Sequence, residues 1–114
     1  MEFKIDKFET HTLIKVLEEK LDTHIAPTLK SELVLVSGNG EKNIVLDLGN
    51  CRYCDSSGLS AILVANRIIS ANEGQIRLAS PSEKVYTLIK ITQLDRVLPV
   101  SESVDKALKE LGQS

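Results

Sequence analysis

The spacing of apolar residues along the chain alternates between the period of a strand and the period of a helix. Two-residue alternation or short, nearly continuous apolar runs predict five strands, at residues 1–8, 13–17, 43–48, 75–79 and 96–100. Apolar residues three and four positions apart predict helices at residues 24–37, 58–72, 80–91 and 103–112. Pro99 lacks the N–H that a central strand needs, so it predicts that the fifth strand lies at an edge or ends there.

The order of these elements, ββαβαβαβα, indicates the fold class. Strand–helix–strand units with short links imply right-handed crossovers and parallel pairing, whereas the first two strands are close enough to form a hairpin. We therefore predict one α/β (α+β) domain over residues 1–114, with a mixed five-stranded sheet and about four helices. A chain of 114 residues is long enough for a single core and too short for two.

The helix starts carry recognisable capping residues. In "SPSEKV" the sequence predicts Ser80 as the cap, Pro81 as the first helical residue and Glu83 as the capping-box partner. In "YCDSSGLSAIL" the helix is predicted to begin at about Gly58, with one of the two preceding serines as its cap.

The same stretch also offers candidate chemistry, because sites in parallel sheets collect at the carboxyl ends of strands. Asp55, Ser56 and Ser57 lie there, where a helix N-terminus favours negative charge. A phosphate on either serine would have local partners, although Asp55 would oppose it. Capping and modification are compatible, and the local residues alone leave both open.

Other chemistry is poorly supported by the sequence. The serines are not in a G-x-S-x-G motif, and of the two histidines, His11 and His24, neither has an evident acidic partner for a catalytic triad. Cys51 and Cys54 form a C-x-x-C, but both precede the helix, and no further zinc ligands stand nearby. We expect both cysteines to be buried and reduced, and we expect no enzyme activity, metal or cofactor.

Composition narrows the class of partner. A net charge of −2 and only four Phe and Tyr residues argue against nucleic-acid binding. The absence of a long apolar run argues against membrane insertion, and the N-terminus resembles no signal peptide, so we expect a cytoplasmic protein.

The segment "KNIVLDLGNCRYCDSSGLSAIL" resembles the signature of STAS domains, most closely that of bacterial anti-sigma factor antagonists. The resemblance extends to "EEKLDTHIAPTLKSEL", with Leu21 and Asp22 at the matching Leu-Asp positions, and to "GQIRLASPSEKVYTLIKITQLDRVLPV". This chain departs from the family where a glycine often follows the Asp-Ser-Ser-Gly-Leu run, because Ser60 stands there, and in the residues that precede Leu21.

The resemblance implies a phosphorylation-switched binding module. It would bind an anti-sigma factor that is also a serine kinase and so release the sigma factor for transcription; a phosphatase would reverse the phosphorylation that ends binding. The resemblance implies Ser57 as the modified residue, with Ser56 as the alternative, and a contact surface made of Asp22, Asp55, Ser56, Ser57, Gly58 and Leu59. Stand-alone STAS domains also serve other assemblies, such as lipid-transport ABC complexes, and that alternative stays open at this point.

Overall fold

The computed structural model describes residues 2–112, which form seven strands and four helices. The strands are β1 (Phe3–Lys7), β2 (Thr12–Val16), β3 (Lys20–Leu21), β4 (Asn43–Asp47), β5 (Tyr53–Cys54), β6 (Gln75–Ala79) and β7 (Val100–Ser101). The helices are α1 (Ala26–Gly38), α2 (Ser56–Ala71), α3 (Glu83–Ile91) and α4 (Val104–Gly112), with a short 3-10 turn at Leu94–Arg96.

Five of the strands form one mixed sheet in the order β1-β2-β4-β6-β7. β1 and β2 pair antiparallel as a hairpin, and the β2–β4, β4–β6 and β6–β7 pairs are parallel. The predicted mixed five-stranded sheet with four helices is confirmed, as is the edge position of the last strand.

The two faces of the sheet are covered unequally. The main core lies between one face and helices α1, α2 and α3, with fully buried side chains such as Leu33, Leu46, Ile62 and Leu78. The other face carries a smaller cluster beneath α4 alone, where Val45, Ala79 and Ala107 are buried. Because α1 and α2 run back along the sheet, both begin beyond the carboxyl ends of the parallel strands.

Two details near α3 differ from the prediction. The cap of α3 is Ser82, whose hydroxyl oxygen accepts a hydrogen bond from the Val85 N–H at 3.2 Å. Ser80, the predicted cap, has φ of 58°, and its N–H donates to the Ser101 carbonyl at 3.1 Å. Ser80 therefore still belongs to the pairing of β6 with the last strand and is too early to begin a helix.

The fifth predicted strand, residues 96–100, is mostly not a strand. The Leu98 N–H donates to the Leu94 carbonyl at 2.9 Å, and both side chains are buried. The apolar residues Leu94 and Leu98, four positions apart, are thus buried by a helical turn, and strand pairing begins only at Val100.

Candidate functional site

The site is built on a small parallel ribbon that the sequence did not predict. β3 and β5 pair in parallel, with Leu21 opposite Cys54. The next residues, Asp22 and Asp55, therefore leave the ribbon side by side, and the Asp55 N–H donates to the Leu21 carbonyl at 3.2 Å. The chain continues from Asp22 toward α1 and from Asp55 into α2, so the two helices begin next to each other at one end of the molecule.

Asp55 is the cap of α2, so the prediction that a serine caps this helix is wrong. Its backbone is extended (φ −104°, ψ −178°), and its Oδ1 accepts from the Gly58 N–H at 3.1 Å. The helix begins at Ser56, two residues earlier than predicted. Capping by the aspartate leaves both serine hydroxyls available for other contacts.

Gly58 allows α2 to lie directly on β3. A Cβ at this position would stand 2.6 Å from the Leu21 carbonyl oxygen, 2.7 Å from Leu21 Cγ and 3.0 Å from Cys54 Sγ. Any larger residue would have to push the first turn of α2 away from the ribbon. Leu59 is only 5% exposed and belongs to the main core. Gly58 and Leu59 therefore hold the start of α2 against β3 and the core, while the neighbouring polar residues form the surface of the site.

Ser56 and Ser57 occupy the first turn of α2, where Ser56 is exposed and Ser57 half-buried. Neither hydroxyl has a hydrogen-bond partner within residues 2–112. Both line an open cleft of about 440 Å³ between the N-terminal parts of α1 and α2, together with Thr23, Ala26, Pro27, Lys30, Ser60, Ala61 and Val64. Lys30 and Thr23 are contributors that the sequence analysis missed, because nothing in the local pattern of α1 or of the turn before it relates them to the serines about thirty residues away.

Asp22 lies at the edge of this cleft rather than within it. Its Oδ1 accepts from the His24 N–H at 3.0 Å, and its carbonyl accepts from Ile25 and Ala26. Asp22 thus organises the turn before α1, which has no side-chain cap of its own. Together with Glu18, Glu19 and Lys20 it lines a second shallow pocket, so acidic residues outnumber the single lysine on the surface beside the cleft.

The two cysteines lie behind the site and are buried, as predicted. Cys51 is fully buried, and Cys54 is 7% exposed. Loss of hydration raises the pKa of the Cys51 thiol. Burial, followed by the neighbouring Cys51 and Asp55, raises the pKa of Cys54 to about 12. Thiols held protonated in this way are poor nucleophiles and poor metal ligands at neutral pH.

The histidines do not reach the serines. His11 stacks on Phe8 with ring centroids 4.7 Å apart. It directly precedes β2, whereas the serines lie beyond the carboxyl ends of the parallel strands. His24 is exposed and lines the acidic pocket, not the serine cleft. Within residues 2–112, no group of three His, Cys, Asp or Glu side chains is arranged to hold a metal ion.

None of the helices in the described part of the chain is long and apolar enough to cross a lipid bilayer.

Comparison with known proteins gives the family. The chain is 28% identical over 100 residues to an anti-sigma F factor antagonist of Paenibacillus polymyxa, covering 87% of this chain and 86% of that protein. It is 28% identical over 101 residues to an anti-sigma-B factor antagonist of Staphylococcus aureus, covering 85% and 94% respectively. The fold is that of the Bacillus protein SpoIIAA in its unphosphorylated form, with a TM-score of 0.82, 18% identity and coverage of 98% and 97%. The STAS domain model matches residues 4–107, so the chain belongs to the STAS domain family.

Proposed function

We propose that this chain is an anti-sigma factor antagonist. It binds a kinase-type anti-sigma factor through the cleft and the acidic residues beside it, and the sigma factor is thereby released for transcription. Relatives named as antagonists of anti-sigma F and anti-sigma-B factors, aligned over most of their length, support this assignment. The proposed partners act on transcription, and we therefore place the protein with them in the cytoplasm.

The observation that carries the proposal is the arrangement of Ser56 and Ser57. Both serines line an open cleft, and the residue that caps the helix is Asp55. A kinase can therefore reach either serine without disturbing the cap. We assign the modification to Ser57, with Ser56 as the alternative, as the family resemblance implies.

The proposed switch is a phosphoryl transfer. The kinase transfers the γ-phosphoryl group of ATP to the serine Oγ, which loses its proton, and ADP leaves. A phosphatase returns the hydroxyl by hydrolysing the ester with water. SpoIIAA, which shares this fold, is also known in a phosphorylated form, with a TM-score of 0.73 to this chain.

Charge and size explain why one phosphate is sufficient. A phosphoserine carries about −1.5 to −2 charges at pH 7. Here it would stand beside two aspartates and inside a surface that must be dehydrated when the partner binds. Tenfold weaker binding requires only about 1.4 kcal/mol, so the modification can end binding without any rearrangement of the fold.

The test uses the purified chain with the kinase-type anti-sigma factors of its own organism. We expect one of them to form a stable complex with the chain, to transfer phosphate from ATP, and to lose affinity for the product. Mass spectrometry of the product should place the phosphate on Ser57, and Ser57→Ala should abolish the modification while keeping the complex.

A different pattern would contradict the proposal. If none of these kinases binds the chain, and the chain co-purifies from native cells with a transporter ATPase while both serines stay unmodified, the chain is a subunit of an ABC complex instead. Phosphate on Ser56 alone would retain the antagonist function and correct the residue.

A further inference from the structure

Among the residues that the structure describes, a single charged side chain lines the cleft that contains the two serines. Of its nine lining residues, three are serines and one is threonine, four are Ala, Pro or Val, and the remaining one is Lys30. The lining contributed by residues 2–112 contains no carboxylate. Asp55, the nearest acid in sequence, has its Oδ1 on the Gly58 N–H, and Asp22 has its Oδ1 on the His24 N–H. In the described part of the chain, the cleft therefore combines one lysine with hydroxyl-bearing residues and has no acidic residue in its lining.

Lys30 is also unengaged elsewhere. It lies in the second turn of α1, is exposed, and forms neither a salt bridge nor a hydrogen bond within residues 2–112. Pro27 and Ala26, three and four positions earlier, line the same cleft, so this face of α1 is turned toward α2. An exposed lysine without an ion-pair partner in residues 2–112, lining a cleft whose other wall is α2, is suited to bind an anion introduced on α2.

We propose that Lys30 pairs with the phosphate of phosphorylated Ser57 and so joins α1 to α2 across the cleft. The inference rests on the proposed modification of Ser57 and goes beyond it by naming the group that receives the phosphate. The phosphate then does more than add negative charge: with the Lys30 side chain it fills the cleft that the unmodified protein offers to its partner.

The ion pair has a direct signature in the titration of the phosphate. The second pKa of phosphoserine is about 6, and a nearby cation lowers it because the dianion is favoured. Exposed ion pairs of this kind lower a pKa by about 0.2 to 0.7 units. The acidic neighbours Asp22 and Asp55 act in the opposite direction, so variants must be compared with the otherwise unchanged protein.

The experiment installs phosphoserine at position 57 during translation and follows the phosphate by phosphorus NMR between pH 4 and 8. We expect Lys30→Met to raise the phosphate pKa by about 0.2 to 0.7 units, and Lys30→Arg to leave it near the original value. Lys84→Met is the matched control: Lys84 is an exposed lysine on α3 that lines a different groove, so its loss should have a much smaller effect.

Equal phosphate pKa values in the original protein and in Lys30→Met would overturn the inference, as would equal effects of Lys30→Met and Lys84→Met. The measurement needs neither kinase nor partner. If neither Ser56 nor Ser57 proves to be modified in the cell, the proposed switch fails, while the titration still reports on Lys30. If Lys30 has no effect, the proposed function stands and only the pairing is lost.

Discussion

The close approach of α2 to β3 makes Gly58→Ala a decisive substitution. The new Cβ would lie 2.6 Å from the Leu21 carbonyl oxygen, which is backbone and cannot rotate away. It would also lie 2.7 Å from Leu21 Cγ and 3.0 Å from Cys54 Sγ. Relief of these contacts requires the first turn of α2 to move off the ribbon, and with it Ser56 and Ser57.

The magnitude follows from two opposing effects. Overpacking at a well-packed site costs about 1–3 kcal/mol. Alanine is favoured over glycine inside a helix by up to about 1 kcal/mol, and the gain is smaller here because Gly58 lies in the first turn. We therefore expect Gly58→Ala to lower the free energy of unfolding by about 1–2 kcal/mol. Binding of the anti-sigma partner should weaken as well, since the displaced turn carries both serines.

Urea unfolding followed by circular dichroism measures the loss of unfolding free energy. An unchanged slope of that free energy against urea concentration shows that the compactness of the folded and unfolded states is unaltered. Gly38→Ala is the matched control, because nothing lies within 4 Å of its added Cβ at the end of α1. It should be neutral or slightly stabilising. If Gly58→Ala proved as stable as Gly38→Ala, α2 would not rest on β3 as the structure has it.

Three further outcomes follow from the same site. Asp55→Ala should cost about 1 kcal/mol of unfolding free energy through loss of the cap, whereas Asp55→Asn should retain stability because asparagine caps equally well; equal stability of the two variants in urea would contradict the cap. Ser57→Asp should weaken binding of the anti-sigma partner, measured by calorimetry, while Ser57→Ala and Ser56→Ala should bind as the original protein does; equal binding by Ser57→Asp would remove Ser57 from the interface. The pKa of Cys54 is raised from 9.0 to about 12 on folding, so below pH 9 the thiol is protonated in both states, and above it only the unfolded thiol ionises. The free energy of unfolding should therefore fall as pH rises above 9. Urea unfolding at several pH values from 8 to 10.5 should show a smaller fall for Cys54→Ala than for the original protein. An equal fall with pH in the two proteins would contradict burial of this thiol.

Most of the sheet and its helices could be predicted because their signals are local. The apolar run that became β4 and the spacing of Leu29, Leu33 and Val36 on α1 each specify an element within a few residues. The helix starts were less certain, since Asp and Ser are nearly equivalent as caps. In Asp-Ser-Ser-Gly the choice depends on Gly58, which has to face Leu21 and so sets where the helix begins.

The geometry of the site depends on contacts that no local pattern contains. β3 and β5 are two residues long, too short for any alternation to be visible, and they pair across more than thirty residues of chain. That pairing sets Asp22 beside Asp55 and brings the N-terminal part of α1, with Lys30 in its second turn, next to the N-terminal part of α2. The family resemblance could therefore propose Ser57 from its motif, but it could not indicate that Lys30 lines the same cleft. A motif describes the residues of one segment, whereas the cleft is made by two segments that lie far apart in the sequence.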